Sequence, residues 1–193
     1  FPLTARPHQI IDIFLGDPLR VRLDDGRLET SPETVVVGPQ GSRRIHLYAS
    51  GRLHLFNILL QPAALHQLFG LDMTCLIGEG IAARDVLGRH AVELDSAVRS
   101  APDFPSRVAA AERWFGKMLE RSSPDDGVAD ASRRLVTARG NLRISALANR
   151  AGLSDRQFQR RFTRQVGLSP KLYARIRRFR SVWTAQARER DRA

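Results

Sequence analysis

Between Asp155 and Val166 the sequence reads DRQFQRRFTRQV. At helical spacing Phe158, Phe162 and Val166 recur every four residues and fall on one face, which leaves Arg156, Gln159, Arg160 and Thr163 facing outward. An outward guanidinium pairs with guanine through two hydrogen bonds, and an outward amide does the same with adenine. This face therefore carries the chemistry of a major-groove reader. Ser154, just ahead of the helix, suits both an N-cap and a phosphate held at a helix start. Arg143, Arg164 and Lys171 flank the reading face and, with Ser154 and Thr163, are the candidates for phosphate contact. Taken singly, each of these charges is equally what a solvated helix surface carries.

The elements that must position this face are legible around it. Residues 144–150 (Ile-Ser-Ala-Leu-Ala-Asn-Arg) read as a short helix, and Ala151-Gly152-Leu153 as a tight turn. Ser154 with Gln157 completes an S-x-x-Q capping box. Leu147, Leu153, Phe158 and Phe162 are the apolar residues available to fill the space between the two helices, and Ala148 is small where they must cross. Gly167 closes the second helix, and Ser169-Pro170 opens a long one with serine as cap and proline at the first position. A short helix, a glycine turn and a second helix with outward Arg and Gln make a helix-turn-helix pattern.

Charge sets this segment apart. The 193 residues carry 31 basic and 20 acidic side chains, a net of +11 with pI near 11.3. Residues 1–132 hold 14 basic and 17 acidic groups, a net of −3, whereas residues 133–193 hold 17 and 3, a net of +14. A localised excess points to duplex DNA more strongly than a uniform one, which would leave RNA and anionic membrane equally open. Almost all of the chain's positive charge is arginine, with Lys117 and Lys171 as the two lysines. A GC-rich coding bias accounts for part of that preference.

The ordered set Leu147-Ala, Gly152-Leu-Ser154, Phe158-x-Arg160-x-Phe162 and Gly167-Leu-Ser169-Pro170-x-x-Tyr173-x-Arg175 resembles the AraC/XylS family of bacterial transcription regulators. The likeness covers roughly residues 140–183. Val37-Gly38-Pro39-Gln40 and Gln61-Pro62 are similar to an uncharacterised β-rich N-terminal domain of one branch of that family. The resemblance implies two helix-turn-helix units joined by a long helix and entering successive major grooves. It implies base reading by Arg156, Gln159 and Arg160, in agreement with the outward face, and makes 170 to about 188 the linker helix. Tyr173, Ile176, Phe179 and Val182/Trp183 would be its buried stripe. The second unit does not follow before Ala193, and Phe1-Pro2-Leu3 reads as mid-chain sequence, so the expectation is a portion of a longer regulator.

The first third of the chain is strand-like. Ile10–Leu15 is an apolar run, Leu19–Leu23 alternates with period two before Asp24-Asp25-Gly26, and Thr34–Val37 is β-branched. Arg44–Tyr48 and Arg52–Leu60 flank Ala49-Ser50-Gly51 and read as a hairpin. Its faces would be Ile45, Leu47, Leu53 and Leu55 against Arg44, His46, Tyr48, Arg52, His54 and Phe56. A helix with Pro62 in its first turn ends at Gly70, and 81–99 and 104–121 read as two more, the last with Phe104, Val108, Ala111, Phe115 and Met118/Leu119 as its stripe. The expected fold class is α+β: a small antiparallel β-barrel or sandwich-like N-terminal domain with C-terminal helices over 1–121, a linker at 122–127, and an all-α helix-turn-helix domain over 128–193.

Other chemistry is thinly represented. In the expected hairpin His46 and His54 become cross-strand neighbours, which invites a metal, yet no third ligand is evident. Asp12, Asp24, Asp25, Glu29 and Glu33 show no acid–base pairing, and the lone Cys75 reads as a packed small residue in a reducing compartment. No metal site, catalytic residue or cofactor is assigned. The expected protein is a cytoplasmic bacterial transcription regulator, not an enzyme. Its expected partners are double-stranded DNA, a small-molecule effector of unspecified identity, a second copy as a homodimer, and RNA polymerase; no membrane partner is expected. Two readings compete: a metal-dependent β-barrel enzyme with a helical tail, and a basic protein-interaction module.

Overall fold

In the computed structural model, residues 5–22, 25–41, 46–78, 80–122 and 127–190 are described, with side chains through Trp183. The apolar run near the start becomes β1 (Gln9–Phe14), flanked by antiparallel β4 (Thr34–Val37) and β6 (Leu55–Leu60), and β7 (Gly80–Ala82) pairs with the far side of β4. Register sets Ile11 beside Val36 and Ile58, and Ile13 beside Phe56, on one face of the sheet. That face packs on α3 (Arg89–Ser100) and α4 (Phe104–Leu119), whose Leu94, Val98, Trp114 and Met118 join the same cluster. Ile10, Phe14, Val35 and Val37 form a smaller cluster on the opposite face. Burial on both faces is why β1 lacks polar alternation.

A second, largely exposed sheet has the order β3 (Leu28–Thr30), β2 (Arg20–Arg22), β5 (His46–Tyr48). The architecture is α+β, and the expected barrel does not close. Both sheets are open, because helices rather than further strands cover the apolar face of the larger one.

The expected hairpin does not form either: β5 pairs with β2, and β6 with β1. Phe56 is buried while Leu53 is exposed, the reverse of the expected faces, because β1 recruits Phe56, Ile58 and Leu60 as its apolar partners. Residues 81–99 form β7, α2 (Ala83–Leu87) and α3 instead of one helix. Gly88, at φ 58° and ψ −133°, breaks the run in a region essentially closed to other residues. In α4 the stripe is supplied by Ala111, Trp114 and Met118, while Phe104 and Leu119 at its ends are exposed. α1 (Ala64–Phe69) ends at Gly70 as expected, but Pro62 precedes it and Ala63 caps it with a left-handed backbone. A 3₁₀ turn at Met73–Leu76 follows.

Four helices follow among the described residues: α5 (Val128–Thr137), α6 (Ile144–Arg150), α7 (Asp155–Val166) and α8 (Pro170–Arg190). They share a core of Val128, Leu135, Leu147, Ala148, Phe158, Phe162, Val166, Tyr173 and Ile176. The stripe expected along α8 is only half realised, since Phe179, Val182 and Trp183 are exposed. α5 ends at Thr137; the Arg177 guanidinium donates to the Val136 carbonyl in its last turn, and that of Arg178 to the Gly140 carbonyl just beyond it. The exposed Phe179 and Trp183 rings lie against each other at 6.2 Å.

The sheet-bearing and helical segments pack together. Ala63 is fully buried in the helical core, Gly41 faces Leu168 and Leu172, and Gly167 meets Pro39 and Met73. Residues 123–126 of the expected linker lie outside the described residues, as do Leu23, Asp24, Arg44 and Ile45.

Candidate functional site

α7 owes its orientation to local chemistry. The Ser154 hydroxyl accepts from the Gln157 N–H at 3.3 Å, and Gln157 Oε1 accepts from the Ser154 N–H at 3.1 Å, so the capping box closes. Gly152 takes φ 66° in the turn, and Gly167 takes φ 92° at the far end. Phe158, Phe162 and Val166 are fully buried, with the Phe162 ring edge-on to Tyr173 at 5.7 Å. These contacts fix the helix in rotation, and Arg156, Gln159 and Arg160 are left exposed on its outer ridge.

Two clefts flank that ridge. One, of about 440 Å³, is lined by Arg143, Gln159, Lys171 and the Ser169–Pro170 start of α8. The other, of about 700 Å³, is lined by Arg156, Gln159, Arg160, Thr163 and Arg164. Gln159 borders both, so it stands on the crest between them. The residues proposed from sequence to read bases are thus together on one ridge, and Arg143 and Lys171 converge beside it. Ser154 is engaged in the capping box, and the Thr163 hydroxyl donates to the Gln159 carbonyl at 2.8 Å. Both hydroxyls are therefore committed to the helix itself.

Sequence reasoning missed the far wall of the larger cleft. Asp72 and Thr74, from the 3₁₀ turn, face Arg164 and its neighbours across it. The Asp72 carboxylate accepts from the Thr74 hydroxyl at 2.6 Å and the Thr74 N–H at 3.0 Å. Those bonds hold its carboxyl below the ordinary range, and the Arg164 charge adds to the effect. An Asp-x-Thr step signals a capped turn in any sequence, but nothing local places it against a helix some ninety positions later.

No family model, curated protein or solved structure matches the chain.

The remaining candidates disperse. His46 lies on β5 opposite Arg22, whereas His54 sits before β6 with its carbonyl accepting from Leu15 and Gly16, so they are not cross-strand partners. Among the described residues no group of three His, Cys, Asp or Glu is arranged to hold a metal. Cys75 is exposed rather than packed, because the 3₁₀ turn buries Met73 and Leu76 and turns the residues between them outward. Asp12 accepts from the Asn57 amide; burial pushes its carboxyl up, against that bond and the Arg6 charge. Asp25 is tied to Arg27, and Glu33 to Arg99. Among the described residues no helix is long and apolar enough to cross a membrane.

Proposed function

We propose that this protein is a sequence-specific DNA-binding transcription regulator of AraC/XylS type, with α6 and α7 as its helix-turn-helix and α7 as the element that enters the major groove. The observation that carries this reading is the ridge of α7. Arg156, Gln159 and Arg160 stand exposed on a helix locked by a buried aromatic face, and cationic clefts flank the ridge on both sides. A helix in a major groove meets base edges along its crest and a phosphate strand on either flank. Crest residues with paired donors and flanks bearing Arg143, Lys171 and Arg164 match that demand. The charge excess of residues 133–193 supplies the long-range attraction.

In this reading the sheet-bearing segment senses an effector or pairs two copies, and its packing against α7 is the route by which either event alters DNA affinity. Recruitment of RNA polymerase in the bacterial cytoplasm belongs to the same proposal.

Fluorescence anisotropy with a promoter-derived duplex and a scrambled duplex tests it. Arg156→Ala with Arg160→Ala should reduce discrimination between the two by about ten- to a hundredfold. Lys171→Ala should instead weaken both duplexes alike and lower the salt slope by about one. Unchanged discrimination in the double variant would remove α7 as the reader.

A further inference from the structure

A third concavity lies on the flank of α7 turned toward α1. It has a volume of about 570 Å³ and is lined by His66 of α1 and by Arg160, Arg161, Arg164 and Gln165 of α7. Arg161 borders this concavity and neither of the clefts beside the reading ridge. Among the described residues, none of the three arginines lies within ion-pair distance of a carboxylate. Asp72 stands on the other cleft and attracts Arg164 only from a distance. Three like charges within five residues of one helix repel one another, and a shared anion relieves that repulsion.

His66 adds a donor or acceptor of fixed direction. Its Nδ1 lies 2.7 Å from the Leu71 carbonyl, which can only accept, so that nitrogen carries hydrogen and Nε2 is left for another partner. Gln165 is buried, with its main-chain carbonyl taken by Gln9, and so forms a rigid floor. The volume falls within the range of small-ligand sites. Three guanidiniums match the charge of a phosphate dianion better than that of a single carboxylate.

We propose that this cleft between α1 and α7 binds a small phosphate-bearing molecule, and that its occupancy draws Arg160 and Arg164 away from the DNA-facing side. Arg160 and Arg164 line both clefts, so an anion held in one competes for donors that the other would use. The competition rests on the DNA reading above; the binding of phosphate does not.

Inorganic phosphate is the probe, titrated calorimetrically into the protein at constant ionic strength maintained with sodium chloride. One saturable site per chain is expected, weakened about tenfold by Arg161→Ala and several-fold by His66→Asn. The asparagine amide retains a donor toward Leu71 but has no counterpart to Nε2. DNA affinity measured without phosphate should be unchanged in both variants. Phosphate should weaken wild-type DNA binding by about tenfold and the variants by less than twofold. Absence of saturable phosphate binding overturns the proposal, as does wild-type phosphate affinity in Arg161→Ala. Loss of DNA affinity in Arg161→Ala without any phosphate site would give the cleft to the DNA backbone and likewise overturn it. Phosphate binding lost in Arg161→Ala, in a protein that binds no duplex, would leave the anion site standing and remove the DNA reading alone.

Discussion

Gln9, on the first strand, donates from Nε2 to the main-chain carbonyl of Gln165, in the last turn of α7, at 3.2 Å. Its Oε1 accepts from the Leu65 N–H of α1 at 3.0 Å. One fully buried amide thus joins the central sheet, α1 and the helix that carries the exposed Arg156, Gln159 and Arg160. Gln9→Leu would leave a buried carbonyl and a buried N–H without that partner, at a cost of about 2–4 kcal/mol. Urea unfolding monitored by tryptophan fluorescence measures this. A change below about 0.5 kcal/mol would show that the bridge contributes little.

Two glycines at the ends of α7 should respond differently to alanine. Gly152 takes φ 66° and a Cβ added there would meet nothing within 4 Å, so Gly152→Ala carries only backbone strain of about 1 kcal/mol. A Cβ on Gly167, at φ 92°, would lie 2.6 Å from Pro39 Cγ and 3.1 Å from the Met73 carbonyl oxygen. Gly167→Ala should therefore cost about 2–4 kcal/mol, strain and collision together. Equal losses in the two unfolding curves would mean that the packing of Pro39 on α7 yields without resistance.

His8 links pH to stability. Burial, with the charges of Arg180, Arg177 and Arg6, lowers its pKa from 6.5 to about 4. The folded protein therefore binds fewer protons at His8 than the unfolded chain between those values. The contribution is fully present above pH 6.5, falls as pH drops, and is exhausted below about pH 4. After allowance for its partial exposure it amounts to about 1 kcal/mol, and His8→Gln should flatten the stability profile across that window. A profile unchanged by the substitution would contradict the assignment.

Asp72 places a negative charge on the cleft that the DNA reading gives to a phosphate strand. Asp72→Asn keeps an oxygen for the Thr74 bonds and removes the charge. Duplex affinity should rise roughly two- to fivefold at low salt, and the gain should shrink as salt is added. Weaker binding by Asp72→Asn, measured by anisotropy, would place the duplex elsewhere.

The bounds of α6 and α7, and the ridge that α7 carries, were legible residue by residue. Ser154 and Gln157 cap each other within one turn, Gly152 and Gly167 mark the ends, and Phe158, Phe162 and Val166 set the face. All of these act over four residues or fewer, so a sequence window contains the whole cause. Strand existence was similarly visible in β1 and β4, which are built from apolar and β-branched runs. Strand partnership was not. Arg52–Leu60 looks like the return arm of a hairpin, yet β6 pairs with β1 because Ile11 and Ile13 demand apolar neighbours across some forty-five positions. That choice also separated His46 from His54. Gly88 split an amphipathic run whose periodicity alone reads as continuous helix.

The sequence by itself therefore determined a locally capped helix with Arg156, Gln159 and Arg160 outward, and a strongly basic segment around it. Only the tertiary structure decided what stands beside that helix. Asp72 and His66 meet α7 because Gln9, Ala63 and Met73 bury against it, and such burial is decided by the whole chain competing for partners. Capping and periodicity are short-range and written in order along the chain; packing is long-range and is not.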